Sequence, residues 1–284
     1  MIRGALLAGA LCACGDDGGM TGPDGGDGNG CQRPALDQPW LGGLVGDVVA
    51  QLASAPRYTL DERTTARTYL SSQLAQLGWA PQLQSYATGT NVYATIPSTT
   101  GATRQVVVGA HFDTVSGSPG ANDNATGCAV VMAVARYLQD LPCRDEVVIV
   151  AFFDEEEEGL FGARAFASMV SASNVLAVHT IDQVGWDMDN DRRFEIELPT
   201  TALEAEYRAA ATIVGVPVTK TSTSGTDHQA FRALGFSAVG LTEEYVGGDT
   251  SPYRHTAQDI ASTVETAYTA LAAQLTAQVI MTEL

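Results

Sequence analysis

Three short segments of the sequence place histidine or carboxylate side chains directly after apolar runs. "AHFDT" contains His111 and Asp113, "AFFDEEEE" ends in the carboxylates of residues 154–158, and "HTID" ends at Asp182. Because His111 and Asp113 are two residues apart, both side chains would leave the same face of a strand. Imidazole and carboxylate groups together are ligands that zinc and similar divalent metals take in proteins. The sequence therefore predicts a metal site, with Asp113 fixing the orientation of His111.

Two loop segments add further candidates. "GANDNATG" holds Asp123 and Asn124 before a predicted helix, where either side chain could cap the helix. Asp123 could instead bridge two cations through its two oxygens. "SPYRHTAQD" holds His255 and, four residues later, Asp259, which we expect either to cap the last helix or to orient His255. For His228, in "GTDHQAF", we expect a capping role rather than metal ligation.

The five consecutive carboxylates of residues 154–158 need an explanation, because like charges repel one another. Acidic residues ahead of a helix meet its positive end, which accounts for one or two of them. Bound cations would relieve the remaining repulsion and keep the carboxylates ionised. Two metals with open positions hold a water of raised acidity, and an uncoordinated glutamate can act as its base. The ordered set of groups therefore predicts a two-metal centre with open positions.

These groups must be positioned by alternating strands and helices. The predicted strands are "NVYATIP", "QVVVGAHFD", "EVVIVAFFD", "VLAVHTID", "RFEIELP" and "SAVGLTEE". The predicted helices cover residues 41–54, 61–77, 126–140, 160–170, 202–214, 227–234 and 260–282. Apolar strands without alternation, separated by amphipathic helices, indicate an α/β fold with a largely parallel sheet covered on both faces. Ligands of such sheets bind beyond the carboxyl ends of the strands, where the polar groups stand.

Composition narrows the classes of partner. The chain has 284 residues and a formal net charge of −18, and Lys220 is its only lysine. Such an acidic protein is a poor binder of nucleic acid and of anionic membrane surfaces. The sequence shows no internal repeat and no second linker, so we expect one catalytic domain over residues 37–284.

The N-terminal residues indicate export. Residues 1–13 form a signal peptide of the lipoprotein type, because "LCAC" resembles a bacterial lipobox that leads to cleavage before Cys14 and to lipid attachment. An ordinary secretory signal is the alternative. The Gly/Asp-rich residues 14–36 read as a flexible tether, so any membrane contact would run through the lipid anchor alone. The protein is expected in the cell envelope or outside the cell.

Export permits a disulfide. Cys128 and Cys143 bracket a predicted helix and would lie too far apart to bond. A bond between Cys31 and Cys143 is possible.

Five ordered motifs carry a resemblance to a known family. "HFD", "GANDNATG", "EEEGLFG", "ID" and "HTAQD" lie between about residues 90 and 260. In order and spacing they resemble the co-catalytic di-zinc exopeptidases of clan MH, the family of secreted bacterial leucyl aminopeptidases. The resemblance implies a three-layer α/β/α sandwich and two Zn²⁺ ions, although other divalent metals are possible.

The resemblance also implies a role for each matching residue. His111 and Asp182 would bind one zinc, Glu157 and His255 the other, and Asp123 would bridge the two. Glu156 would be the general base, and Asp113 would support the ligands.

Two further features follow from the same family. A tyrosine near the developing oxyanion is matched by Tyr253, but Arg254 stands where some relatives have that tyrosine, so either residue could be the donor. A cis peptide is also implied, between Asp123 and Asn124.

The implied reaction is removal of the first residue from peptides with a free amino terminus, by a protein expected to be a monomer. A glutaminyl cyclase of the same fold, with similar residues and one metal, is one alternative. A lipoprotein that binds peptide or metal without catalysis is the other. We expect loops 186–193 and 243–251 to shape the substrate pocket, and the sequence does not reveal the preferred side chain.

Overall fold

The structure is a computed structural model that describes residues 32–284. The signal peptide, Cys14 and most of the tether therefore lie outside the described residues, and the domain boundary at residue 37 stays a prediction. Within the described range, no helix has the length and apolar character needed to cross a membrane. Cys128 is a buried free thiol, so it does not bond to Cys143. The other candidate partner, Cys31, lies outside the described residues.

A mixed sheet forms the centre of the described part of the chain. Its strands follow one another across the sheet in the order β1-β2-β4-β3-β5-β8-β6-β7. They are β1 (Pro81–Ser85), β2 (Thr90–Ile96), β3 (Gln105–His111), β4 (Val147–Phe153), β5 (Val175–Ile181), β6 (Phe194–Glu197), β7 (Val218–Thr221) and β8 (Ala238–Thr242). Strands β4, β3, β5 and β8 run parallel, while β1, β2 and β6 introduce antiparallel pairs. The predicted α/β fold with a mixed, largely parallel sheet is confirmed.

Helices cover both faces of the sheet, as the unbroken apolar strands require. They are α1 (Leu41–Leu52), α2 (Leu60–Gln76), α3 (Thr126–Asp140), α4 (Phe161–Met169), α5 (Thr201–Val214), α6 (His228–Arg232) and α7 (Thr266–Glu283). Successive strand residues point to opposite faces: Val106 and Val108 pack in the larger core, with α1, α2, α3, α5 and α7. Val107 packs in the smaller core, with α4 and α6. The molecule thus has three layers.

The register of the central strands brings the polar motifs to one edge of the sheet. β3 lies between β4 and β5 and runs parallel to both, with His111 paired to Phe153 and Gly109 paired to Thr180. Because the three strands end level with one another, the residues that follow them meet beyond their carboxyl ends. The fold therefore places His111, the acidic run and Asp182 together, as the strand pattern predicts.

Three elements differ from the prediction. β1 and β7 were not predicted, because both are edge strands whose residues are mostly polar and are half-buried or exposed. The last helix does not begin at residue 260 but at Thr266. Before it come a short 3₁₀ turn, Ala261–Thr263, and a hydrogen bond from the Glu265 N–H to the Gly185 carbonyl at 2.8 Å. This bond ties the segment to the loop after β5 and delays the helix start.

Helix α2 supplies cations for the start of the acidic run. Arg63 Nε lies 2.8 Å from Asp154 Oδ1, and its Nη2 lies 2.9 Å from Glu155 Oε1. Arg67 Nη1 lies 3.2 Å from Asp154 Oδ2. Asp154 is fully buried, and burial raises its pKa to about 6 although the two arginines oppose the shift. Part of the repulsion within the run is therefore relieved by protein side chains rather than by metal.

Replacing Arg63 with methionine should destabilise the protein. The variant keeps much of the side-chain volume but removes the arginine partner of Glu155 and one of the two arginine partners of Asp154, and loss of a buried pair costs about 3–5 kcal/mol. Equilibrium unfolding in urea would measure the difference in free energy. Arg208→Met, which removes an exposed pair with Glu204 on α5, is the matched control and should leave the midpoint unchanged. Equal midpoints for both variants would contradict a structural role for Arg63.

Candidate metal centre

The carboxyl end of β3 provides the first part of the centre. His111 is buried, and its Nδ1 lies 3.4 Å from Asp113 Oδ1. The same Asp113 carboxylate accepts hydrogen bonds from the backbone N–H groups of Glu156, at 2.9 Å, and Glu157, at 3.1 Å. One side chain therefore orients the histidine and fixes the backbone of two residues in the acidic run.

The loop before α3 holds Asp123 over the edge of the sheet. The Asp259 carboxylate accepts hydrogen bonds from the backbone N–H groups of Asn122 and Asp123, at 2.8 and 3.0 Å. Asp259 therefore neither caps α7 nor orients His255, and both expectations for it were wrong. The loop begins at Gly120, whose φ of +62° and crowding against Asp123 and Arg57 leave no room for a side chain. The Asp123–Asn124 peptide bond is cis, as the family resemblance implies.

The capping expectations for this loop concern two residues. Asn124 Oδ1 accepts a hydrogen bond from the Gly127 N–H in the first turn of α3, at 2.9 Å. Its amide nitrogen donates to the Ile181 carbonyl at 2.8 Å, which ties the loop to the end of β5. The side chain of Asp123 turns away from the helix and toward the two histidines. The N-cap position of α3 is Ala125, so neither Asp123 nor Asn124 is the N-cap; Asn124 binds the first turn from one residue earlier.

Two groups of candidate ligand atoms share Asp123. The first consists of His111, Asp123 and Asp182, and the second of Asp123, Glu157 and His255. His111 Nε2 lies 3.4 Å from Asp123 Oδ1 and 3.5 Å from Asp182 Oδ1. His255 Nε2 lies 3.2 Å from Asp123 Oδ2 and 3.0 Å from Glu157 Oε2. The five residues predicted as metal ligands are therefore brought together, in the two predicted groups.

The chemistry of these atoms fits divalent metals. Ligand bonds of 2.0–2.2 Å at tetrahedral angles separate neighbouring ligand atoms by roughly 3.3–3.6 Å, close to the distances found here. Four of the five residues each have a buried nitrogen or oxygen atom with no hydrogen-bond partner among the described residues. These atoms are His111 Nε2, Asp123 Oδ2, Glu157 Oε1 and Asp182 Oδ1. Buried polar atoms of native proteins are almost always partnered. A cation at each group would satisfy them.

The pKa values show how strongly the carboxylates interact. Burial, with the charges of Asp182 and Asp227, raises the pKa of Glu156 to about 10. Burial and the charge of Asp123 raise the pKa of Glu157 to about 7. Burial lowers the pKa of His111, but the charges of Glu156 and Asp182 outweigh it and raise that pKa well above its ordinary value. The centre thus holds more negative charge than its own histidines balance.

Two residues of the neighbourhood escaped prediction. Asp227 is buried, its Oδ1 has no partner among the described residues, and its charge raises the pKa of Glu156. It stands beside His228, which is the first residue of α6, so the same motif contained the signal. Arg57 is buried, and its guanidinium donates to the carbonyls of Pro119 and Gly120 at 2.6 and 2.8 Å. The sequence did not point to Arg57, because a single arginine far from the motifs forms no recognisable pattern with them.

The two oxyanion candidates occupy different positions. Arg254 Nε lies 3.3 Å from Asp123 Oδ2, so its guanidinium lies beside the carboxylate that the two groups share. The Tyr253 ring packs edge-on against Trp186, with ring centroids 5.7 Å apart. His255, a member of the second group, has a φ of +61°, a conformation that is uncommon outside glycine.

Comparison with known proteins identifies the family. The model for "Peptidase family M28" matches residues 91–280, which is more than half of the chain. The chain belongs to peptidase family M28. Aminopeptidase YwaD of Bacillus subtilis is 29% identical over 168 residues, which cover 54% of this chain and 35% of YwaD. The match thus spans about a third of the length of that relative.

Solved structures agree on the fold of this M28 chain. BSAP, a zinc aminopeptidase from Bacillus subtilis, superimposes with a TM-score of 0.78 at 14% identity, covering 87% of this chain and 96% of BSAP. A glutaminyl cyclase of Porphyromonas gingivalis superimposes with a TM-score of 0.73 at 17% identity, covering 86% of this chain and 98% of the cyclase. At such identities the two likenesses establish the fold and not the reaction.

Zinc should stabilise the M28 chain increasingly as the pH rises. The pKa of Glu157 is about 7 in the metal-free fold and 4.5 ordinarily. Its contribution to metal-free stability is therefore fully present below about pH 4.5 and is lost as the pH rises through about 7. A bound cation removes that loss because it favours the ionised carboxylate. The difference between the melting temperatures with and without zinc should grow as the pH is raised from about 5 to about 8. A difference that stays constant or shrinks would contradict the assignment of Glu157 as a zinc ligand.

Proposed function

We propose that the chain is an exported aminopeptidase that uses two zinc ions. The observation that carries the proposal is the pair of ligand groups that share Asp123, with the carboxylate of Glu156 beside them and outside both. Membership of family M28 and the name of the relative YwaD support the reaction class. The two groups favour the two-metal peptidase over the one-metal cyclase.

Each metal ligand then has a defined place. His111 and Asp182 would hold one ion, Glu157 and His255 the other, and Asp123 would contact both. Bound there, the ions would supply a Lewis acid for the peptide carbonyl and raise the acidity of a water. Asp113 would keep the centre in register, because its two oxygens hold the backbone of the acidic run.

Glu156 is the proposed general base and acid. Its carboxylate would take a proton from the attacking water and return it to the leaving amine. The raised pKa of Glu156 in the metal-free fold favours holding a proton, and added positive charge would lower that pKa toward the working range. The backbone bond to Asp113 limits where the side chain can move.

Arg254 is the proposed donor to the developing oxyanion. Its guanidinium already lies beside Asp123, whereas Tyr253 packs on Trp186. A fixed cation next to the reacting carbonyl stabilises charge that appears in the transition state. Tyr253 would then shape the wall of the cleft.

The proposed setting is the cell envelope of a bacterium. The signal peptide and Cys14 support export with a lipid anchor, and the proposed substrates are peptides with a free amino terminus. The acidic surface argues against nucleic acid as a partner. The proposed state is a monomer.

Glu156→Gln should abolish most peptidase activity without removing metal. Loss of a general base lowers kcat by about 10²–10⁴-fold, and the amide keeps the shape of the side chain. Steady-state hydrolysis of amino-acid anilides would measure kcat, and elemental analysis should give two zinc ions per chain in both proteins. Glu158→Gln, at the exposed neighbour outside both ligand groups, is the control and should keep normal activity.

Two results would overturn the proposal. Full activity of the Glu156→Gln protein with intact metal would show that Glu156 is not the general base. Wild-type protein that carries zinc but releases no amino acid would favour the alternative of a lipoprotein that binds without catalysis. Ring closure of amino-terminal glutamine, followed by chromatography, would instead establish the cyclase.

Arg254→Leu and Tyr253→Phe should separate the two oxyanion candidates. Removal of an oxyanion donor lowers kcat by about 10²–10³-fold, and we expect this loss for Arg254→Leu alone. Because a ground-state contact would change KM instead, kcat and KM must be measured separately. The assignment is wrong if Tyr253→Phe shows the larger loss of kcat.

A further inference from the structure

A small cavity lies beside the metal centre and is lined by an unusual set of residues. Its volume is about 110 Å³, below the roughly 300–1,000 Å³ of pockets that enclose whole ligands, so it suits a single side chain. Its lining includes Asp182, a ligand of the first metal group, and Arg254. The remaining lining residues are Gln183, Glu197, Thr223, Ser224, Gly225, Thr226, Thr242 and Tyr245. Only Tyr245 belongs to the loops from which we expected the pocket to form.

The side chains that line this cavity are mostly of polar types, but the surface that they present is about equally polar and apolar. Of its ten lining residues, none is aliphatic, and Tyr245 is the only aromatic one. Side-chain pockets gain affinity for leucine-like groups chiefly from apolar area removed from water. The wall has no aliphatic side chain, and its mixed surface suits a substrate side chain with an apolar stem and a polar or charged end.

Glu197, the last residue of β6, adds a buried carboxylate to a cavity that Asp182 and Arg254 also line. Its side chain is only 2% exposed, and burial raises its pKa to about 7. Its Oε2 accepts a hydrogen bond from Thr226 Oγ1 at 3.0 Å and lies 3.4 Å from His228 Nδ1. Burial lowers the pKa of His228 to about 4, so that imidazole is neutral. Among the described residues, no arginine or lysine lies within ion-pair distance of Glu197.

The neighbouring strand leaves space for this carboxylate. Gly240 of β8 lies between Glu197 and Thr180 in the sheet register. A Cβ at position 240 would lie 2.5 Å from Glu197 Oε2 and 2.9 Å from His228 Nδ1. Glu195, two residues earlier on β6, differs. Its two carboxylate oxygens accept hydrogen bonds from the backbone N–H groups of Val246 and Gly247, in the loop after β8, at 2.9 and 2.7 Å. The fold thus keeps Glu197, and not Glu195, available to a ligand.

We propose that this cavity receives the side chain of the substrate's amino-terminal residue and that Glu197 selects a basic side chain, lysine or arginine. The inference rests on the proposed aminopeptidase function and adds its substrate class. Strand β8 separates the strand of Glu197 from the strand that leads to Asp182, so two strand spacings, roughly 10 Å, lie between them. A long side chain that enters the cavity from the side of Asp182 would bring its cation to the Glu197 carboxylate, because both residues line the same cavity. A buried carboxylate left without a cation penalises neutral residues of the same size.

Lysine and norleucine test the proposal, because they differ chiefly by an ammonium group at the end of an unbranched chain. Anilides of lysine, arginine, norleucine and leucine would be compared on the zinc-loaded full-length protein. We expect kcat/KM for lysine to exceed that for norleucine by about tenfold or more, and Glu197→Gln to bring the ratio within about threefold. Glu204→Gln, which removes one exposed carboxylate of α5, is the control and should keep the wild-type ratio.

The outcomes separate this inference from the proposed function. Hydrolysis of all anilides at similar rates would overturn the basic preference and leave the aminopeptidase intact. An equal loss for lysine and norleucine in Glu197→Gln would also overturn it, because Glu197 would then hold the α-ammonium common to both.

A binding measurement decides the question if no anilide is cleaved. Calorimetry with lysine amide and norleucine amide on the zinc-loaded protein should show about tenfold tighter binding of lysine amide, lost in Glu197→Gln. Equal affinities would overturn the inference. Should the glutamine variant fail to fold, as judged by its melting curve, the wild-type ratios and Glu197→Asp, which keeps the charge on a shorter stem, provide the same test.

Discussion

Repulsion among buried carboxylates is the constraint on which the rest of the structure depends. The carboxyl ends of three parallel strands gather Asp113, Asp123, Asp154, the glutamates 155–157 and Asp182 at one edge of the sheet. In a medium of low polarity these charges cannot remain ionised together without compensation. The fold meets this constraint in two ways: arginines pair with some of these carboxylates, and others belong to groups that could bind a cation.

The arginines act at the rim of the acidic cluster. Arg63 and Arg67 from α2 neutralise Asp154 and part of Glu155, which belong to the backbone support of the site. Arg57 binds carbonyl groups of the loop that leads to Asp123. Within the described residues, Arg254 is the arginine that pairs with the ligand groups, and several buried ligand atoms of those groups have no hydrogen-bond partner. The carboxylates that pair with arginines of α2 and the carboxylates of the two ligand groups therefore occupy different parts of one acidic cluster.

The same logic extends to the substrate pocket. Glu195 and Glu197 lie on one strand, are both buried, and have different partners: backbone N–H groups for the first, a threonine hydroxyl and a neutral histidine for the second. A fully hydrogen-bonded carboxylate is structural, whereas one that lacks a cation is ready for a cationic ligand. In the proposed function, Glu197 would pair with a cation of the substrate, as Asp123 and Glu157 would bind metal.

The sequence by itself determined the donor chemistry and the order of the elements. Motifs such as "HFD" and "GANDNATG" contain the candidate ligands themselves. Unbroken apolar runs indicate buried strands from the local sequence alone. Only the tertiary structure decided what each group contacts across the chain. Asp259 holds the backbone at Asn122, 137 residues away, and Arg63 reaches Glu155 across 92 residues. Such pairs depend on how helices pack on the sheet, and packing geometry leaves no periodic trace in the residues that it brings together.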